Sequence, residues 1–305
     1  MLALVVFSDK YILSVKNGLE LYAINVLPAL FPFFFFSKIL TELNLGYDLG
    51  NVLKKPLRKF YNAPNLSGYI LAISMLSGYP VGAKLVSDCY SNNLITASEA
   101  KKISSFTSTS GPLFIVGTVG IAMLGSKKAG FVILFCHYLA TLINGLVFRG
   151  KKSTLAENTL SPPKINYDSI LSNSMLSSIT SVLLVGGYIA IFNFVLDFAF
   201  DIKLIYVLSN ALTSLGIDVR LSSSFFASLI EITKGSLMFG ISGFSLKTTI
   251  PLVCFCISFG GISVTVQSLT FLSKCKISPG YYLLTKTTQG ILAFIFGLIC
   301  SVLMF

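Results

Sequence analysis

Apolar and polar positions alternate along this chain on the scale of whole segments. Crossing the hydrocarbon as a helix takes about 20 mostly apolar residues, and the stretches 18–41, 130–148 and 280–305 meet that requirement. A fourth, 177–200, also does, despite Asp197 near its end. Four more stretches, 65–90, 103–124, 221–246 and 248–272, are apolar in composition but interrupted by Gly, Pro, Ser and Thr. In lipid an unsatisfied backbone group costs several kcal/mol, so a broken helix or re-entrant loop persists only where protein or a water-filled cavity satisfies it. Two amphipathic links, 43–62 and 202–216, join the spans to the interrupted stretches.

The order of these segments repeats. Span, link, two interrupted segments and span run from 18 to 148, and the same series runs from 177 to 305. Phe106 and Gly111 in SSFTSTSGP fall in register with Phe255 and Gly260 in CFCISFGGI, each pair 149 residues apart. The pattern divides the chain into an N-terminal segment 1–17, a first repeat 18–150, a linker 151–176 and a second repeat 177–305. With 65–90 and 221–246 as hairpins and 103–124 and 248–272 as broken helices, each half crosses three times, and an odd number inverts the second copy. The predicted fold is therefore an all-α integral membrane protein with two inverted repeats. Each repeat holds full spans, a re-entrant helical hairpin and a broken helix.

Composition agrees. Only 11% of the residues are charged and 54% are hydrophobic, with a mean hydropathy of +0.80, against roughly 25% charged in soluble proteins. Lys plus Arg outnumber Asp plus Glu 23 to 12, but the positive residues lie between apolar stretches, so the excess reads as topology and not as a nucleic-acid face. On the three-crossing pattern, twelve of them share one side: Lys54, Lys55, Arg58, Lys59, Lys101, Lys102, Arg149, Lys151, Lys152, Lys164, Lys274 and Lys276. Seven fall on the other, namely Lys10, Lys16, Lys127, Lys128, Lys203, Arg220 and Lys247. The richer side is expected in the cytoplasm, the linker with it, and both termini outside. The opening MLALVVFSDK lacks the basic start and small-residue cleavage site of a secretory signal and is expected to be retained. Six scattered cysteines without a CxxC pair read as small buried hydrophobes. No acidic metal cluster, nucleotide-binding loop or hydrolase motif occurs, so neither cofactor, metal nor soluble catalytic site is expected.

The chemistry lies in the interruptions. SGYPVGAK places Ser77, Gly78, Tyr79, Pro80 and Gly82 in mid-segment, where the backbone should turn and free amides toward a ligand, with Lys84 just beyond. Lys84 reads equally as a cation snorkelling to a membrane surface. The second hairpin carries Glu231, Thr233 and Lys234. An intramembrane Glu and Lys form a functional hypothesis by default, or a mutually neutralising pair one helical turn apart. The broken helices present Thr107, Ser108, Thr109, Ser110 and Gly111, and Ser258, Gly260, Gly261, Ser263 and Gln267. These small and neutral hydrogen-bonding groups suit a polar solute or a partly dehydrated ion, or else close helix packing. His137, the only histidine, reads as a hydrogen-bond donor to a neighbouring helix. Asp197 and Lys286, one or two turns inside span ends, read as reaching polar surroundings and not as site residues.

The strings LPALFPFFFFSKIL (27–40), SGYPVGAKL (77–85), SFTSTSGPLF (105–114), HYLATLINGLVFR (137–149) and FGGISVTVQ (259–267) resemble the YlbJ-type sporulation integral membrane proteins of spore-forming Firmicutes. The likeness covers nearly the whole chain. That family is grouped with Gate, or nucleoside-recognition, domains, which are similar to the core of concentrative nucleoside transporters and to the membrane part of ferrous-iron transporters. The resemblance implies two Gate-like inverted repeats and a role in forming the spore cortex. Ser108 departs from the Asn usual in the family, replacing an amide by a shorter hydroxyl. Together these readings predict a non-enzymatic, multi-pass protein of the bacterial cell membrane, a permease for a small polar solute or nucleoside-like compound. The alternative is a non-transporting scaffold of a cortex-assembly complex. The partners expected are the lipid bilayer, a small polar solute and a coupling ion, with no nucleic acid; a homo-oligomer is compatible with the pattern.

Overall fold

The computed structural model describes residues 5–150 and 165–305; most of the expected linker, 151–164, lies outside them. Among the described residues there are helices and no strands. Four helical stretches are long and apolar enough to cross a membrane: Lys127–Val147, Tyr167–Asp201, Leu246–Cys275 and Pro279–Met304. Ser8–Val26 and Leu30–Leu40 are long and apolar enough to make a fifth when taken together, bent by 57° at the break between them.

The sequence leaves open whether the residues before 18 cap the bundle or lengthen the first span, and the structure has the longer helix. Helix α1 (Ser8–Leu21) runs through a π-helical turn (Tyr22–Val26) into α2 (Leu27–Glu42), so the span begins ten residues before position 18. Its polar residues made 8–17 look unlike a span, yet they are used. The Tyr11 hydroxyl donates to Asp201 at 2.9 Å, the Asn193 amide donates to the Ser14 carbonyl at 2.5 Å and the Tyr22 hydroxyl donates to the Val182 carbonyl at 2.6 Å. All three fix α1 and the turn against α8 (Ile170–Asp201), which itself starts seven residues before position 177.

The amphipathic α3 (Leu45–Tyr61) leads into the first hairpin, α4 (Leu66–Ser77) and α5 (Val81–Ser91), which turns at Gly78-Tyr79-Pro80. Helix α6 (Ala97–Ser104) starts with a reciprocal Thr96–Glu99 capping box and stops into an unwound stretch reaching Gly111. A π-helical segment (Phe114–Met123) completes that broken helix, and α7 (Lys127–Val147) closes the half. After α8 and α9 (Leu204–Thr213), the second hairpin is α10 (Val219–Ile230) and α11 (Ile232–Ile241), turning at Glu231. The second broken helix is α12 (Leu246–Phe259) and α13 (Gly261–Leu272), parted at Gly260 with φ +87°. Helix α14 (Pro279–Met304) ends the chain, packed along α12 and α7. The same series of elements thus occurs twice.

Several positively charged loops gather at one end. Lys102 Nζ donates to the Asn62 carbonyl at 2.9 Å, the Asn62 amide donates to the Gly150 carbonyl at 3.0 Å and the Tyr281 hydroxyl donates to the Lys101 carbonyl at 3.2 Å. At the opposite end Lys128 Nζ reaches the Met304 carbonyl at 2.5 Å. The cysteines are unpaired, and five of the six are buried.

Candidate functional site

The first hairpin is locked onto the first helix break by backbone approach that only glycine permits. Gly78 sits at φ +76°, and a Cβ on it would lie 2.5 Å from the Gly111 nitrogen. A Cβ on Gly82 would strike both Ser74 Oγ and the Thr107 carbonyl, atoms that already share a hydrogen bond. The Thr109 hydroxyl donates to the Ser74 carbonyl at 2.9 Å. Tip and break therefore form one surface.

In the second hairpin Glu231 is only 1% exposed. It closes the N-terminus of α11, with Oε1 accepting the Thr233 N–H at 3.0 Å and Oε2 the Lys234 N–H at 2.7 Å. The helix dipole and two amides supply what the buried carboxylate needs. Lys234 is not its partner. That side chain turns away and pairs with Asp197 of α8 at 2.5 Å. The expected Glu231–Lys234 pair is thus replaced by a cap and a separate ion pair, because the backbone breaks between Glu231 and the helix carrying Lys234.

Both tips and both breaks open on one cavity, with a volume of about 60 Å³. Of the residues singled out in the sequence, Ser77, Gly78, Tyr79, Ser110, Gly111, Glu231, Thr233, Gly260, Ser263 and Gln267 line it. Pro80, Gly82, Thr107, Ser108, Thr109, Ser258 and Gly261 do not line it. Lys84 does not reach it: two residues past Gly82, it points outward and lines a groove with Lys38 and Asp88. The opposite wall is apolar, built by Val26, Leu30, Phe34, Val185 and Ile189 from the bent first span and α8.

Behind the cavity lies a buried polar network. His137, on α7, joins the two breaks: its Nε2 accepts the Ser110 N–H at 3.0 Å and its Nδ1 faces Ser258 Oγ at 2.8 Å. An Nε2 that accepts leaves the ring proton on Nδ1, so the neutral imidazole donates to Ser258. The interhelical role read from the sequence is what the geometry shows. Lys286 is different. Far from reaching a polar surface, it is 1% exposed, with its ammonium among Tyr79 Oη at 2.8 Å, the Ser108 carbonyl at 3.0 Å and Gln289 Oε1 at 2.9 Å. Ser108 Oγ meets the Tyr282 hydroxyl at 2.5 Å, and the Gln289 amide donates to Thr141 Oγ1 at 2.6 Å. The Asn144 amide donates to the Ser105 and Thr285 carbonyls at 2.8 and 3.1 Å. Tyr282, Thr285, Lys286 and Gln289 recur at helical spacing in α14, a polar stripe in an apolar span that the sequence displays and that marks the network.

A curated relative decides the family. Sporulation integral membrane protein YlbJ of Bacillus subtilis (strain 168) is 30% identical over 306 residues, covering 92% of this chain and 75% of that protein. The chain belongs to the YlbJ family of sporulation integral membrane proteins. No protein-family profile matches it. Among solved structures it is similar to CNTnw, as a double variant in an outward-facing state, with a TM-score of 0.62, 13% identity, and 98% of this chain and 86% of that one covered. CNTnw in an inward-facing substrate-bound state gives a TM-score of 0.57 at 12% identity over 97% and 85% of the two chains. At such identities the likeness concerns the fold alone: this YlbJ-family chain is a multi-pass membrane protein, helical throughout its regular elements among the described residues, with a fold similar to that of CNTnw.

Proposed function

We propose that this YlbJ-family chain is a non-enzymatic permease that carries a small polar, nucleoside-like solute across the bacterial cell membrane during spore cortex formation. The two repeats are inverted, with the Lys54–Lys59 end in the cytoplasm. The observation that carries this reading is the convergence of two hairpin tips and two helix breaks on one cavity, the arrangement by which secondary transporters build a site at mid-membrane.

The chemistry of the walls supports the solute class. One wall offers Glu231, Gln267, Ser263 and Ser110 and the other Val26, Leu30, Phe34 and Ile189, which suits a compound with an apolar ring face and hydroxyl or amino donors. Reconstitution into proteoliposomes and flux of labelled nucleosides, nucleobases, pentoses and amino acids tests it. Saturable movement of at least one, inhibited by its own unlabelled form, is expected. Correctly inserted protein that moves none refutes the permease. The scaffold reading would then stand, favoured by hydroxyls such as Thr107 and Thr265, which bond to carbonyls four residues back in the chain at 2.9 and 2.8 Å.

A further inference from the structure

A lysine withdrawn from water inside a membrane bundle needs a counter-charge or a full set of acceptors. Lys286 has the second: none of the described ion pairs includes it. Its three N–H groups meet three neutral oxygens from three places. One is the Tyr79 hydroxyl at the first hairpin tip, one the Ser108 carbonyl freed by the first helix break, and one the Gln289 amide oxygen on α14. The Tyr79 ring adds its face, 4.9 Å from the ammonium to the centroid. Tyr79 in turn donates to the Ile257 carbonyl at 3.4 Å, just ahead of the second break. His137, the nearby titratable ring, is held neutral by its two hydrogen bonds.

Carbonyls released from a broken helix are ligands that secondary transporters offer to a dissociable coupling cation, and the Gln289 amide oxygen and Tyr79 hydroxyl add two further neutral oxygen acceptors. Here a side chain of the same polypeptide fills the position. We propose that Lys286 is a tethered cation: its ammonium permanently occupies an oxygen-lined site for a small monovalent cation between the first hairpin tip and the first helix break. The tip is thereby held without a dissociable metal ion, and removing the ammonium opens a site for Na⁺, K⁺ or a small alkylammonium. The consequence for coupling rests on the permease reading; occupancy of the site does not.

Thermal melting of detergent-solubilised protein separates the two. Wild type, Lys286→Ala and the similarly long but uncharged Lys286→Met are melted in chloride salts of Na⁺, K⁺, methylammonium or choline at equal ionic strength. The wild type is expected to melt identically in all four. Lys286→Ala should melt lower in choline and recover by about 4 °C or more in at least one small cation, the shift a ligand well above its Kd gives a chain of this size. The proposal is overturned if Na⁺ or K⁺ specifically stabilises the wild type, if folded Lys286→Ala responds to no small cation, or if Lys286→Met matches the wild type in choline. Should Lys286→Ala not fold in choline, monodisperse recovery in a small cation supports the site and recovery in none overturns it. In vesicles, wild-type flux should be unchanged when choline replaces Na⁺; absence of any flux removes the permease and leaves the melting result standing.

Discussion

Substituting Glu231 by Gln separates the two tasks that this carboxylate performs on the permease reading, closing α11 and binding solute. Its oxygens accept N–H groups from Thr233 at 3.0 Å and Lys234 at 2.7 Å. An amide has a single acceptor oxygen, so one N–H is left facing an NH₂ group inside the bundle, at a cost of about 1–3 kcal/mol. At roughly 2–4 °C per kcal/mol for larger chains, melting should fall by about 2–12 °C. A solute donor bound to the charged oxygen loses roughly 1.5–3 kcal/mol, or about 10- to 150-fold in flux at low solute concentration.

The control is Asp218→Asn, which weakens the cap at the outer end of the same hairpin. Asp218 accepts the Arg220 N–H at 2.8 Å, and hydrogen bonds from the Arg220 side chain hold its carboxyl below its ordinary value. Lying away from the cavity, Asp218→Asn should lower melting slightly and leave flux intact. If Glu231→Gln melts lower yet transports with unchanged KM and maximal rate, the carboxylate is a cap alone and the assignment of Glu231 to the solute is wrong. If it melts like the wild type, the capping geometry itself is wrong.

Gly82→Ala should destabilise by about 1–3 kcal/mol, since overpacking and loss of the Ser74–Thr107 hydrogen bond outweigh the roughly 1 kcal/mol gained by alanine in a helix; an unchanged melting temperature would refute the close approach of hairpin and break. His137→Phe strands two buried groups, Ser110 N–H and Ser258 Oγ, and should cost about 2–5 kcal/mol. Combined with Ser258→Ala, it should show a coupling of about 1 kcal/mol by melting, and strict additivity would exclude the bridge. Lys55→Cys on a background without the six native cysteines should react with membrane-impermeant maleimide only after the cytoplasmic face is exposed; labelling in intact cells would reverse the orientation.

The helix breaks were legible because their residues are poor choices for a continuous span. Gly78, Pro80 and Gly260 mark breaks found in the structure, and Gly111 ends the unwound stretch of the first broken helix. The beginnings of the spans were less legible. Asp9, Lys10, Lys16 and Asn17 lower the hydrophobicity of α1, yet Lys10 and Tyr11 reach Asp201 while Ser14 and Gly18 face α8. At the start of α8 the Ser172 hydroxyl donates to the Ser169 carbonyl at 3.1 Å and the Asn173 amide to Ser169 Oγ at 3.2 Å, so much of this polar sequence is satisfied locally, although the buried Ser174 hydroxyl finds no partner among the described residues. Lys286 was misjudged on its distance from the helix end alone. Its long side chain does not run toward the nearer surface but inward to the first break, where unwound backbone supplies an acceptor that a regular helix lacks.

The distribution of polar ties also bears on how such a bundle moves. The first hairpin, the first break, α7 and α14 are joined by buried hydrogen bonds through Ser74, Thr109, His137, Asn144, Lys286 and Gln289. The bent first span and α8 are likewise joined to each other through Tyr11, Tyr22 and Asn193. Between these two bodies the described side-chain hydrogen bonds are sparse and peripheral to the cavity: Thr118 to the Asn25 carbonyl, Tyr188 with Thr270, and Lys234 with Asp197. The facing wall is Val26, Leu30, Phe34, Val185 and Ile189. Apolar contacts carry no directional bond, so sliding along them breaks far less than parting the buried network would. On the permease reading, displacement therefore belongs at the apolar face of the cavity. The first hairpin tip, both breaks and the Lys286 ammonium travel together, and the cavity changes its opening along its apolar wall.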